Sequence, residues 1–261
     1  MRKKILWIVI MTITLLGLTT GCELAINTNT NNNVKNEPAK ITKEQISTME
    51  KISKLAFDTK EESLKIEDMS DELKTNIAKQ LVSYTNETTG TEMINAFQKY
   101  FGKNQTIEFT DMKCWIDHGS EDQNTIYFFD KEKDKYVYNE KHPGHGGGGA
   151  EFYGNIQGFD NVEVDGDEYH YNAKILFYGI GVCGDIGGCQ YGKAYKSYSD
   201  AKNGTNPIVD IDNTNKYWED YDLPKLNEET LLEDNRGSLE TYTFVFKIED
   251  GNLIFKEYYK A

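Results

Sequence analysis

His142 and His145 stand three apart in His142-Pro-Gly-His145-Gly-Gly-Gly-Gly149, and Cys183 and Cys189 enclose Gly-Asp-Ile-Gly-Gly. Imidazole nitrogen and thiolate sulfur are the donors that tetrahedral zinc prefers, so these four side chains form a candidate Cys2His2 set. Two features oppose it. Gly146 to Gly149 give the histidines no rigid support, which a metal site gains from, and the cysteine spacing exceeds the usual two to four. The favoured reading is a loop whose backbone needs glycine's freedom, with no metal and no cofactor. Gly144-His-Gly-Gly-Gly-Gly149 also spells the dinucleotide pattern G-x-G-x-x-G, but no helix-forming run follows it and there is no P-loop lysine. Ser199-Asp-Ala-Lys202 has the S-x-x-K form without its companion motifs. Asp210-Ile-Asp212-Asn-Thr214 opens like a calcium loop, then places Asn215 where glycine is needed and Tyr221 where a bidentate glutamate is needed. The rings of Tyr217-Trp-Glu-Asp-Tyr221 suit stacking on a sugar or anchoring a long loop. His118 and His170 are isolated, and His170 falls opposite the apolar face of its strand, which predicts exposure. No catalytic residue is assigned, and a non-enzymatic protein is the expectation.

Cys22 has a different setting. Met1-Arg-Lys-Lys4 is positive, Ile5 to Leu18 is apolar, and Leu18-Thr-Thr-Gly-Cys22 closes the segment. The apolar part falls short of the about 20 residues a membrane span needs. This ending resembles the lipobox of bacterial lipoproteins. The resemblance implies that residues 1–21 are a signal peptide, that the Cys22 thiol takes a diacylglycerol, and that the mature protein is anchored on the extracytoplasmic face of the cell membrane. The glycine-histidine segment, with Tyr100-Phe101-Gly102 before it, is also similar to uncharacterised lipoproteins of Gram-positive bacteria, a likeness that brings no activity with it.

Outside the membrane a disulfide persists, and the glycine-rich turn between Cys183 and Cys189 lets their sulfurs meet. Such a bridge would contribute about 2.4 kcal/mol by loop entropy. Free thiols are the alternative, and a bridge excludes zinc, because both sulfurs cannot be thiolate ligands at once. Cys114, beside Trp115 and Ile116, reads as a small buried hydrophobe.

The chain of 261 residues carries 29 Lys and Arg against 43 Asp and Glu, a net charge of −14. Losing residues 1–21 removes Arg2, Lys3 and Lys4 and no acid, leaving 26 basic residues and a charge of −17. That excess excludes nucleic acid, whose binding needs clustered cations. It also excludes docking on anionic lipid through a basic patch, so the lipid on Cys22 must hold the membrane. The expected partners are the membrane and an unidentified ligand or envelope protein.

Residues 22–41, rich in Asn and Thr, predict a disordered tether with a reach of roughly 20–25 Å. Residues 42–261 read as one domain, helical over 42–102 and mainly β over 103–261. Thr42-Lys-Glu-Gln45 has the form of a capping box, with Ile46, Met49, Ile52, Leu55 and Ala56 at helical spacing behind it. A second helix starts at Ser70 with Leu73, Ile77, Leu81 and Tyr84 on one stripe. A third begins near Thr91, turns Ile94, Phe97 and Phe101 inward, and stops at Gly102. Thereafter the period is two. Short strands are predicted at Ile107–Phe109 and Cys114–Ile116, and a hairpin over Thr125–Asp130 and Lys135–Asn139. Asn161–Val164 turns at Asp165-Gly166 into the longest expected strand, Glu168–Ile180. Leu239–Ile248 turns at Asp250-Gly251 into Leu253–Tyr259. Helices first and hairpins afterwards predict an α+β fold, with helices packed on one face of a curved antiparallel sheet. That order resembles the cystatin-like cone shared by ketosteroid isomerases and nuclear transport factors.

Overall fold

The computed structural model describes residues 41–113, 120–143, 150–182, 190–211, 217 and 226–261. The capping box at Thr42 forms: its hydroxyl accepts from Gln45 N at 3.1 Å, and Gln45 Oε1 accepts from Thr42 N at 2.9 Å. Helix α1 (Lys43–Ala56) follows and buries Met49, Ile52 and Ala56. Strand β1 (Ser63–Lys65) precedes α2 (Asp71–Leu81), whose cap is Ser70, accepting from Leu73 N at 3.2 Å. Helix α3 (Gly90–Phe101) starts one residue before the predicted point, because Thr89 and Glu92 make a second capping box. It buries Met93, Phe97 and Phe101 and ends at Gly102, whose φ of 106° lies where side chains rarely go.

Ile107 and Phe109 form no strand. Neighbouring side chains instead satisfy the backbone there: Glu108 N donates to Asp71 Oδ1 at 3.0 Å, and Thr110 O accepts from the Tyr136 hydroxyl at 2.7 Å. With polar partners supplied by side chains distant in sequence, the chain needs no ladder, and Ile107 buries itself from an irregular stretch. A small sheet of order β2-β3-β4 comes next. It comprises β2 (Met112–Lys113), then, after the short helix α4 (Glu121–Asn124), β3 (Thr125–Asp130) and β4 (Lys135–Tyr138).

The large sheet is antiparallel in every pairing. It holds β5 (Ala150–Asp165), β6 (Glu168–Val182), β7 (Gln190–Tyr195), β8 (Val209–Asp210), β9 (Glu240–Glu249) and β10 (Asn252–Lys260), with α5 (Tyr198–Asn203) and α6 (Glu228–Asn235) between them. Its order is β1-β10-β9-β6-β7-β8, with β5 along the other side of β6. Strand β6 is therefore shared: β9 pairs with it up to Ile175 and β7 from Phe177 onward. The Asp250-Gly251 turn forms as predicted, and the other forms one residue later than predicted, at Gly166-Asp167, because Asp165 still pairs with Glu168. Gly166 takes φ 63°, and Asp250 and Gly251 take 50° and 82°, the left-handed pair that closes a two-residue hairpin. The longest strand is β5, at 16 residues against 15 for β6, although only Asn161–Val164 was legible in it. Gly154, Asn155, Gly158, Asp160 and Asn161 dilute its β signal.

Two hydrophobic clusters use opposite faces of this sheet. Tyr169, Tyr171, Ala173, Ile175 and Phe177 of β6 join Phe244, Phe246, Phe255 and Tyr258 and the buried residues of α1 to α3. Each such large side chain contributes about 1.5–3 kcal/mol on burial. Leu176, from the other face, joins Ile156, Ala194, Ile211, Tyr217, Leu231, Leu232 and Leu239. The architecture is α+β with antiparallel sheets, and the described strands close no barrel.

Candidate functional site

Of the four candidate zinc ligands, His142 falls among the described residues. Its fellow candidates His145, Cys183 and Cys189 lie outside them, as do Cys22, Cys114 and His118. His142 is not an idle loop residue. It is 7% exposed, just past β4, and its Nδ1 donates to Gln123 O at 2.8 Å. A carbonyl only accepts, so Nδ1 carries the proton and the tautomer is set. Among the described residues, no group of three or more His, Cys, Asp or Glu side chains is placed to hold a metal.

His170, for which the alternation of its strand predicts exposure, is half-buried instead. Its Nε2 sits 3.4 Å from Glu168 Oε2, while Glu168 also accepts from Lys247 Nζ at 3.0 Å. The hydrogen bond from Lys247, with His170 adding to it, holds the Glu168 carboxyl below the usual range. His170 belongs to a polar strip that period-two reading of β6 exposes once the apolar residues are set aside: Glu168, His170, Asn172 and Lys174 alternate with the tyrosines. Asn172 Nδ2 donates to Asn161 Oδ1 at 2.6 Å, and its own Oδ1 accepts from the Thr243 hydroxyl at 2.7 Å. Lys174 Nζ donates to Thr241 Oγ1 at 2.8 Å and Leu239 O at 3.2 Å. These bonds cross three strands and align them. They bring no nucleophile to a base.

The chance motifs dissolve into local structure. Ser199 lies on α5, capped by Ser197, and Asp210 lies in β8 opposite Lys193. Tyr217 is buried in the second cluster, as an anchoring ring would be, and Trp218 to Tyr221 lie outside the described residues.

Among the described residues are two open grooves. One, of about 620 Å³, lies along β1, β10 and the start of α2, with Asp58, Glu61, Asp68 and Glu257 facing a single ammonium, Lys65. Its floor is fixed by Tyr258, whose hydroxyl accepts from Asp58 N at 3.2 Å and lies 2.9 Å from Asp58 O. The other, of about 530 Å³, lies between the end of α3 and the β9–β10 turn, crossed by the 2.7 Å Lys103–Asp250 pair. Carboxylates, amides and ring edges in such grooves can recognise a ligand by charge and hydrogen bonding. Sequence reasoning missed the first groove because its walls, residues 58–73 and 257–259, lie far apart in sequence. Compared with known proteins, this chain matches no family model, no curated protein and no solved structure.

Proposed function

We propose that this chain is a lipid-anchored lipoprotein of the cell surface, whose residues 42–261 form one non-enzymatic domain that binds a ligand or another protein. The observation that carries the reading is the Gly21-Cys22 junction behind the positive Met1-Arg-Lys-Lys4 and the apolar Ile5 to Leu18. The tether of residues 22–41 then lifts the domain clear of the head groups. Binding rather than catalysis is supported by polar groups on the sheet that bond to one another and by grooves lined with carboxylates. A cystatin-like cone, with α1 to α3 on a curved sheet, is the arrangement we favour. The bulge in β5 between Phe159 and Asn161 supports it, because bulges bend and twist long strands.

Cys22→Ala tests the anchor. The variant is expected to take up no labelled palmitate and to accumulate as unprocessed precursor, with the domain still folded. Cleavage at residue 22 together with retained lipid anchorage would refute the reading.

One observation favours a second reading, a metal site at His142, His145, Cys183 and Cys189. A ligating histidine commonly donates its other nitrogen to a carbonyl, as His142 does to Gln123. We expect purified protein to contain no stoichiometric zinc. One equivalent of metal, lost in the His142→Ala, His145→Ala double variant, would promote the second reading instead.

A further inference from the structure

The large sheet ends on three strands, and they are finished differently. Strand β1 is 3 residues long and β8 is 2, lengths that offer a newcomer almost nothing to pair with. Strand β5 runs for 16 residues, and among the described residues no strand pairs with its outer side. One point of that edge is blocked. Phe159 O accepts from Arg236 Nη1 at 3.1 Å beside the bulge, and Glu233 holds the guanidinium in place at 2.7 Å. Beyond the block, Asn161 to Asp165 continue as regular strand to the hairpin turn.

The side chains of this stretch specify what would lie beside it. Val162 and Val164 stand opposite Tyr171 and Tyr169 and pack with the main core cluster. Asn161, Glu163 and Asp165 take the other face, and Glu163 and Asp165 are exposed. Asp160 and Asp167 flank them, also exposed. Strand β5 contains Glu151, Asp160, Glu163 and Asp165 and no Lys or Arg. A second copy of the chain would bring acid against acid, in a protein of net charge −14.

We propose that the outer edge of β5 over residues 161–165 takes up an extended segment of a basic partner protein, in which apolar residues alternate with Lys or Arg. The apolar residues would continue the Val162–Val164 row, and the cations would lie beside Glu163 and Asp165, while main-chain bonds supply the pairing. The inference rests on the binding-module reading and gives it a surface and a partner chemistry.

The probe is acetyl-Lys-Val-Lys-Val-Lys-amide, added to the folded domain and followed by amide hydrogen exchange and by titration. Protection is expected to rise at residues 161–165. Affinity is expected to fall with salt, and to drop about fivefold in Glu163→Lys, a variant whose unchanged melting temperature shows that the fold survives. The same peptide N-methylated at every residue keeps its charge, loses its donors, and is expected not to bind. Equal binding of the methylated peptide, or of acetyl-Glu-Val-Glu-Val-Glu-amide, would overturn the proposal. Protection appearing along β1 and its groove would also overturn it, while leaving the binding-module reading standing. Failure of the probe to bind at all would overturn the edge site alone, because the anchor and the grooves are tested separately.

Discussion

Asp134 caps α3 from outside the helix: its Oδ2 accepts from Thr91 N at 3.0 Å and from the Thr91 hydroxyl at 2.7 Å. Its main-chain oxygen accepts from Gly90 N at 2.8 Å. The β3–β4 turn is thereby clamped onto the helix N-terminus, where unpaired N–H groups favour an anion. Asp134 holds φ 52° to do so, a conformation Asp tolerates better than most residues. A Cβ on Gly90 would collide with Asp134 Oδ1 and sit 2.6 Å from the Phe129 ring, so glycine alone fits the contact.

Removing the clamp should weaken both elements together. Asp134→Ala is expected to cost about 1–2 kcal/mol in urea unfolding, and Asp134→Asn clearly less, since the amide oxygen still accepts. An Asp134→Ala midpoint equal to that of the parent would show that the clamp stabilises nothing.

Alkali should find the tyrosine core. Burial pushes the Tyr136 and Tyr242 phenols from 10.0 up to about 12, and pushes Tyr171 and Tyr258 up further still. Unfolded phenols ionise near 10.0 while folded ones keep their protons, so between these values the native state binds more protons. The stabilisation is complete below pH 10 and drains away as pH rises toward about 12. The melting temperature is expected to fall steeply above pH 10, with phenolate absorbance at 295 nm lagging until the domain unfolds. A complete phenolate titration centred at pH 10 in folded protein would contradict this burial.

Helix α6 approaches β5 at a residue that has no side chain. A Cβ on Gly158 would run into Leu232 Cδ2 and lie 3.0 Å from Arg236 Nη2. Gly158→Ala is expected to cost about 1–3 kcal/mol by overpacking. Adding Leu232→Ala should cost less in that background than in the parent, a non-additivity read from a double-mutant cycle. Strict additivity would mean the two residues do not meet.

His142 should behave as a packed residue. His142→Ala is expected to destabilise by about 1–3 kcal/mol, because it removes a buried imidazole together with its bond to Gln123 O. His142→Asn, which can still donate, should recover part of the loss. An unchanged melting point in His142→Ala would show that its burial and its bond to Gln123 stabilise nothing.

The helices were legible because their signals are local. Thr42 and Gln45, Ser70 and Leu73, and Gly102 announce their roles within a few residues. The alternating tyrosines of β6, the turn at Asp250-Gly251 and, to within one residue, the turn at Gly166 were legible for the same reason. What escaped was set by distant partners. Ile107 and Phe109 carry a strand pattern, but the partners that draw their backbone out of a ladder are Asp71 and Tyr136. The full length of β5 was hidden because Gly154 and Gly158, poor strand formers, are present to admit the Tyr178 ring and Leu232. His142 read only as part of a glycine loop because Gln123, 19 residues earlier, gives no sign of approaching it. The acidic groove was illegible for the same reason, since Asp58 and Tyr258 are 200 positions apart.

That last separation bears on the order in which the molecule can be completed. Strand β1 pairs with β10, Lys65 meeting Glu257, and Phe57 packs against Tyr242, Phe244 and Tyr258. Helices α1 to α3 are made well before the β9–β10 hairpin that seals them. A nascent chain must carry those apolar faces open until β9 and β10 have emerged, and closing so long a loop is entropically slow. A chaperone attending this protein would therefore have to shield α1 to α3 until the carboxyl-terminal hairpin arrives.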